Sequence, residues 1–119
     1  MVDLKEHLLK IISNKIKMAT LAKFLSIEQY NSDILNDFSE IQRKGANNLY
    51  EKYIIYHERP TIKFDVDSSE DILDILKETI EMEKAIAKKI GTNFGIRQSV
   101  IHNLADDEKF HYHLKKLLK

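Results

Sequence analysis

The chain has 119 residues, and its 19 basic and 19 acidic side chains leave it without net charge at neutral pH. This balance argues against nucleic acid or an anionic membrane surface as a partner. The sequence contains no cysteine, which excludes disulfides, thiolate metal sites and cysteine nucleophiles. We expect one cytoplasmic domain, because no signal peptide and no apolar run of about 18 residues is visible.

Four amphipathic stretches follow one another along the chain, and the only proline, Pro60, divides them into two pairs. Their apolar residues recur at the spacing of helices that face a core. The predicted helices cover residues 3–26, 31–58, 69–90 and 96–118. Ser69 is the predicted N-cap of the third helix, with Asp71 in its first turn. The pattern predicts a single all-α domain over residues 1–119, folded as a four-helix bundle.

The boundary between the two helix pairs is marked by proline and by polar residues. Because proline cannot continue a helix, Pro60 follows the end of the first hairpin, which covers residues 3–58. The second hairpin covers residues 69–118, and the connection inside each hairpin is short. The segment 59–68 is therefore predicted to be a crossover connection between the two hairpins.

Charged side chains fall inside the predicted apolar stripes of the third and fourth helices. On helical wheels of about 100° per residue, Glu83 lies within the stripe of the third helix. His111 lies near the centre of the fourth stripe and Glu108 toward one side, and residues three apart share a helix face. An ionised carboxylate in a core costs several kcal/mol unless it is paired or bound to a metal. These three residues therefore indicate a polar site inside the predicted core.

The pattern resembles the ferritin-like superfamily, and bacterioferritin and rubrerythrin within it. In that family two metal ions lie inside a four-helix bundle, where one helix of each pair supplies a Glu and the other a Glu-x-x-His. The segment IEMEKAIAKKI carries Glu83, and the segment LADDEKFH carries Glu108 and His111. The resemblance implies a ferritin-like bundle with a crossover between two antiparallel hairpins, and a homo-oligomer of at least two chains.

The first half of the chain departs from the family pattern where its metal ligands would lie. Lys15 stands at the position of the first-helix Glu, Gln42 at that of the second-helix Glu, and Gly45 at that of its His. No second Glu-x-x-His occurs in the chain. The predicted helix arrangement thus resembles that of the family over nearly the whole chain. The metal-ligand motif is present only in the second half.

Two interpretations of these residues stay open. In the first, Glu83, Glu108 and His111 bind one divalent ion, Fe, Mn or Zn, in a redox or storage-related role. In the second, the Lys15 ammonium replaces the metal and neutralises Glu83 or Glu108, while Gln42 adds hydrogen-bond donors. The bundle is then a non-catalytic assembly or interaction module.

A third interpretation uses symmetry between two chains. If the second hairpins of two copies associate, two sets of Glu83, Glu108 and His111 rebuild a complete dimetal site. Asp106 and Asp107 are expected to be solvated acids or to support the ligands from outside. No methionine is placed for axial ligation, so no haem is expected.

Overall fold

Four helices make up the computed structural model, which describes residues 4–28, 32–56, 71–89 and 94–118. They are α1 (Leu4–Glu28), α2 (Ser32–Tyr56), α3 (Ile72–Lys88) and α4 (Phe94–Leu117). The described ranges contain no strand, which confirms the predicted all-helical four-helix bundle. The predicted crossover, 59–68, and the predicted capping residue Ser69 lie outside the described residues.

The start of α3 differs by a few residues from the prediction. Asp71 is the N-cap residue, with extended backbone, and its side chain accepts a hydrogen bond of 2.9 Å from the Leu73 backbone N–H. A short carboxylate at this position satisfies one of the free N–H groups of the first turn. The prediction that Asp71 lies inside the first turn is therefore wrong.

The buried apolar side chains form two clusters, one toward each end of the bundle. The first cluster consists of Leu8, Ile11, Ile12, Ala46, Leu49, Tyr53, Ile86, Ile96 and Val100. The second cluster consists of Met18, Leu21, Ala22, Leu35, Phe38, Ile72, Leu76, Ile80 and Leu114. Each helix contributes to both clusters, so the core extends along the whole bundle.

The two clusters also show the direction of each helix. The first cluster joins the N-terminal halves of α1 and α4 to the C-terminal halves of α2 and α3, and the second joins the opposite halves. Hence α1 and α4 run one way and α2 and α3 the other. In the described ranges α1 and α4 each pack against α2 and α3, so the two parallel pairs lie on the diagonals. None of the described helices is long and apolar enough to cross a membrane.

Candidate functional site

A layer of four polar side chains lies between the two apolar clusters. Each helix supplies one of them, and each is at most 1% exposed: Lys15, Gln42, Glu83 and Asp107. Burying a charged group is costly unless it is paired and hydrogen-bonded. The contacts within the layer therefore decide whether it stabilises or destabilises the bundle.

Lys15 is the centre of this polar layer. Its Nζ donates hydrogen bonds to Asp107 Oδ2 at 2.8 Å and to Gln42 Oε1 at 3.1 Å, and it lies 3.5 Å from Glu83 Oε2. Gln42 Nε2 donates to Asp107 Oδ1 at 2.6 Å. A lysine ammonium has three N–H donors, and three oxygens from three other helices surround this one. The Lys15 side chain thus links all four helices.

Glu83 is the member of the layer with the most perturbed ionisation. Burial raises the pKa of Glu83 to about 10, the neighbouring Asp107 raises it as well, and the Lys15 ammonium opposes both. Neither Glu83 oxygen accepts a hydrogen bond from a described residue. At neutral pH Glu83 therefore keeps its proton in the folded protein.

Four of the core positions predicted from the sequence are confirmed. Lys15, Gln42 and Glu83 are fully buried, and Gly45 is buried beside them. The expected contact between Lys15 and Glu83 is present, with Nζ 3.5 Å from Glu83 Oε2. The acidic side chain that pairs most closely with Lys15 is Asp107, at 2.8 Å. Asp107 is buried, so the prediction that it is a solvated acid is wrong.

Glu108 and His111 lie elsewhere. Glu108 is exposed and His111 is half-buried, and both line a surface depression of about 200 Å³ between α3 and α4, to which Glu83 does not contribute. The expectation that Glu108 points into the core is wrong. Within the four described ranges, no group of three or more His, Asp or Glu side chains is arranged to hold a metal ion. Metal binding by Glu83, Glu108 and His111 stays a prediction.

The error at Glu108 has a geometric cause. Apolar residues of α4 spaced by four predict the line 96, 100, 104, 108, but each step of four turns about 40° past a full turn. The buried residues alternate steps of four and three, through Ile96, Val100, Asn103 and Asp107. Two of these are polar, so apolar patterning does not reveal them. The alternating spacing, continued to Leu114, is the signal that would have found Asp107.

Other polar side chains near the layer are paired and tie neighbouring helices together. Asn14 Nδ2 donates to Glu78 Oε1 at 2.9 Å and to Thr79 Oγ1 at 3.2 Å, which links α1 to α3. Ser39 Oγ donates to the Ala19 carbonyl at 2.7 Å, which links α2 to α1. The polar layer therefore lies in a frame of satisfied hydrogen bonds.

Gly45 creates the space that Asn103 occupies. A Cβ at position 45 would clash with Asn103 Oδ1 and come within 3.5 Å of Lys15 Cδ. Asn103 is buried, and its Nδ2 donates to the Ser99 carbonyl at 2.7 Å, so the side chain is held in place. A glycine inside a helix costs about 1 kcal/mol relative to alanine, and the close approach of α2 and α4 accounts for it here.

We expect Gly45→Ala to lower the free energy of unfolding by about 1–2 kcal/mol, because the clash outweighs the gain in helix propensity. In an Asn103→Ala background the obstacle is absent, and the same change is expected to raise stability by up to about 1 kcal/mol. Urea denaturation of the four proteins measures this as a double-mutant cycle. An equal effect of Gly45→Ala in both backgrounds would contradict the contact.

The chain is similar over nearly its whole length to a known protein. The chain is 53% identical over 117 residues to the uncharacterized protein MJ0763 of Methanocaldococcus jannaschii, an alignment that covers 98% of this chain and 97% of that protein. No family model matches the chain, and no solved structure matches it. The identity extends over nearly the full length of both proteins, and the chain therefore belongs to the same family as MJ0763.

Proposed function

We propose that this protein is a ferritin-like four-helix bundle whose centre holds the Lys15 ammonium in place of a metal ion, and that it serves as a non-catalytic assembly or interaction module. The observation that carries the proposal is the position of Lys15 Nζ, buried and within 2.8–3.5 Å of Gln42, Glu83 and Asp107. A cation at this position compensates buried negative charge, as a metal ion would do among carboxylates.

The helix directions support a ferritin-like order. The end of α2 at Tyr56 and the start of α3 at Ile72 lie at opposite ends of the bundle, because α2 ends at the first cluster and α3 begins at the second. Residues 57–71 can reach about 50 Å at about 3.3 Å each, and a 25-residue helix such as α2 is about 37 Å long. A crossover connection over 59–68 is therefore sterically feasible, as the resemblance implies.

The layer residues support the loss of metal ligands. In a ferritin-like bundle each helix supplies a carboxylate at this level, and a His three residues later on two helices completes the site. Here Gly45 and Phe110 stand three residues after Gln42 and Asp107. Phe110 instead packs edge-to-face on Phe38, with ring centroids 5.1 Å apart. The layer offers no imidazole, and its ammonium would repel a divalent cation.

Metal titration tests this proposal. The purified protein is expected to contain no stoichiometric metal, and Mn(II), Zn(II) or anaerobic Fe(II) is expected to leave its melting temperature unchanged. An ion that bound only the folded state would raise the melting temperature by mass action. A rise that His111→Ala abolishes would instead support the metal site of Glu83, Glu108 and His111. His113→Ala, an exposed histidine of the same helix, is the matched control.

The structure also bears on the symmetric dimetal site. That interpretation requires the second hairpin to pack against its twin, whereas in the structure α3 packs on α1 and α4 on α2 within one chain. In that packing Glu83 is buried inside the bundle, 3.5 Å from Lys15 Nζ, and is not accessible to a second chain. Any assembly that keeps this fold must therefore use the outer faces of the bundle.

A further inference from the structure

A long groove runs along the outer face between α2 and α4. It consists of two adjoining depressions of about 600 and 630 Å³, which share Ile41, Lys44 and Asp106. One extends to Lys52 and Phe94, and the other to Ile34, Phe110 and His113. Gly45 lies in its floor and contributes no side chain. None of the four polar-layer residues lines this groove.

The α2 side of this groove is charged oppositely at its two ends. Asp37 and Glu40 line the depression near the start of α2, and Lys44 and Lys52 line the one toward its end. No ion pair joins any of these four side chains to another described residue. Lys109 of α4 lies beside the acidic end. The stripe on α2 is therefore complementary to a reversed copy of itself.

We propose that the groove is the contact surface of a two-fold homodimer, in which α2 of one copy lies antiparallel to α2 of the other with the axis at Lys44 and Gly45. This rests on the proposed assembly role and names its partner, a second copy of this chain. Asp37 lies seven residues before Lys44, and Lys52 lies seven residues after Gly45. The axis therefore brings Asp37 of each copy opposite Lys52 of the other.

The residues at the axis and at the groove ends fit the same arrangement. Lys44 and Asp106 belong to both depressions, so near the axis each Lys44 faces Asp106 of the second copy. Asp106 has one distant partner on its own helix, His102, at 3.9 Å. At the ends Phe94, which is 74% exposed, meets the partly exposed Ile34 of the second copy. Both apolar side chains lose water on association.

The face has the size of a small protein–protein interface. From Ile34 to Lys52 the groove follows α2 for about 27 Å at about 1.5 Å per residue, and two helices each about 10 Å wide give a footprint of roughly 500 Å². The accessible surface of a grooved face exceeds its footprint. Burial of roughly 500 Å² on each subunit, about 1,000 Å² in total, is at the lower limit of specific interfaces, and an ordinary dimer interface buries about 800 Å² on each subunit.

Charge reversal with mixing tests the register. Wild type is expected to sediment as a dimer. Lys52→Glu alone, or Asp37→Lys alone, is expected to raise the dimer dissociation constant about tenfold or more. Each change places like charges opposite each other at both symmetric contacts, which makes them repulsive. An equimolar mixture of the two variants restores both contacts and is expected to recover wild-type affinity as a heterodimer. Lys77→Glu on α3, outside the groove, is the matched control and should change nothing.

Cross-linking gives a second readout. The chain has no cysteine, so Lys44→Cys introduces a single thiol near the axis, and a short bis-maleimide is expected to join two copies. Lys77→Cys is expected to give no covalent dimer. A monomeric wild type, a dimer unaffected by both reversals, or failure of the mixture to recover would overturn the proposal. So would a protected Lys44→Cys thiol in a monomer, because another part of the chain would then cover the groove.

These results are separable from those on the proposed function. Metal binding by the wild type would overturn the role of Lys15 at the centre and leave the groove experiment intact. A monomer that binds no metal would remove the dimer and leave the Lys15 layer as it is. The two sets of variants share no residue.

Discussion

Lys15→Ala is expected to lower the free energy of unfolding at neutral pH by about 3–5 kcal/mol, because it leaves a buried carboxylate without its counter-charge. The variant loses the hydrogen bonds from Lys15 Nζ to Asp107 at 2.8 Å and to Gln42 at 3.1 Å. Both partners are buried and shielded from water. Urea denaturation followed by circular dichroism measures the change.

Lys10→Ala on the same helix is the matched control. Lys10 Nζ lies 3.9 Å from Glu78 Oε1, and both side chains are more than half exposed. Exposed ion pairs contribute about 0–1 kcal/mol, so this variant should be nearly neutral. If both variants lost the same small amount, the Lys15 layer would not stabilise the fold.

The same Lys15→Ala protein is expected to gain stability from Mn(II), whereas wild type does not. With the ammonium removed, oxygens of Gln42, Glu83 and Asp107 converge on a space that a hard cation can enter. Free Mn(II) at about 100 times its dissociation constant would restore about 2.7 kcal/mol. Adding Asp107→Asn should abolish the rescue. A Lys15→Ala protein indifferent to metal would mean that Lys15 replaces no ion.

Glu83→Gln is expected to change how stability depends on pH. Burial raises the pKa of Glu83 from 4.5 to about 10, so between these values the folded state keeps a proton that the unfolded state releases. The stabilisation from this group is therefore fully present below about pH 4.5 and is lost as the pH rises toward 10. Glutamine stays neutral throughout, and the variant should be the more stable protein at pH 8.

The measurement is the difference in unfolding free energy between Glu83→Gln and wild type from pH 5 to 9. The difference should increase by up to about 1.4 kcal/mol per pH unit, the value for one proton. Glu81→Gln, an exposed carboxylate of the same helix, should give a flat difference. A flat difference for Glu83→Gln as well would show that Glu83 is ionised in the folded protein.

The local pattern of the chain accounts for most of the fold. The four helices lie within a few residues of the predicted ranges, because apolar residues at helical spacing and the scarcity of glycine and proline leave few alternatives. The predicted beginning of α3 is less accurate than the other boundaries. Ser and Asp are both favourable N-cap residues, so N-cap preference alone does not choose between Ser69 and Asp71. Asp71 is the one that the structure uses.

The candidate site was predicted in part. Lys15, Gln42 and Glu83 stand among apolar neighbours on their helices, so their burial follows from the wheel. Asp107 does not stand out, because Asp106 and Glu108 flank it and the three carboxylates differ only by rotation of about 100° each. An apolar stripe defines the buried face of a helix only to within about one residue. The Glu-x-x-His motif led to the prediction that Glu108 is buried, whereas the structure buries Asp107.

The sequence by itself determined four helices, a core on one face of each, and three polar residues that had to be paired inside it. Only the tertiary structure decided that Asp107 and not Glu108 completes the layer, and that one ammonium meets three oxygens. The reason is that helical periodicity depends on neighbours along the chain, whereas an ion pair depends on the distance between atoms of different helices. That distance is set by how all four helices pack together.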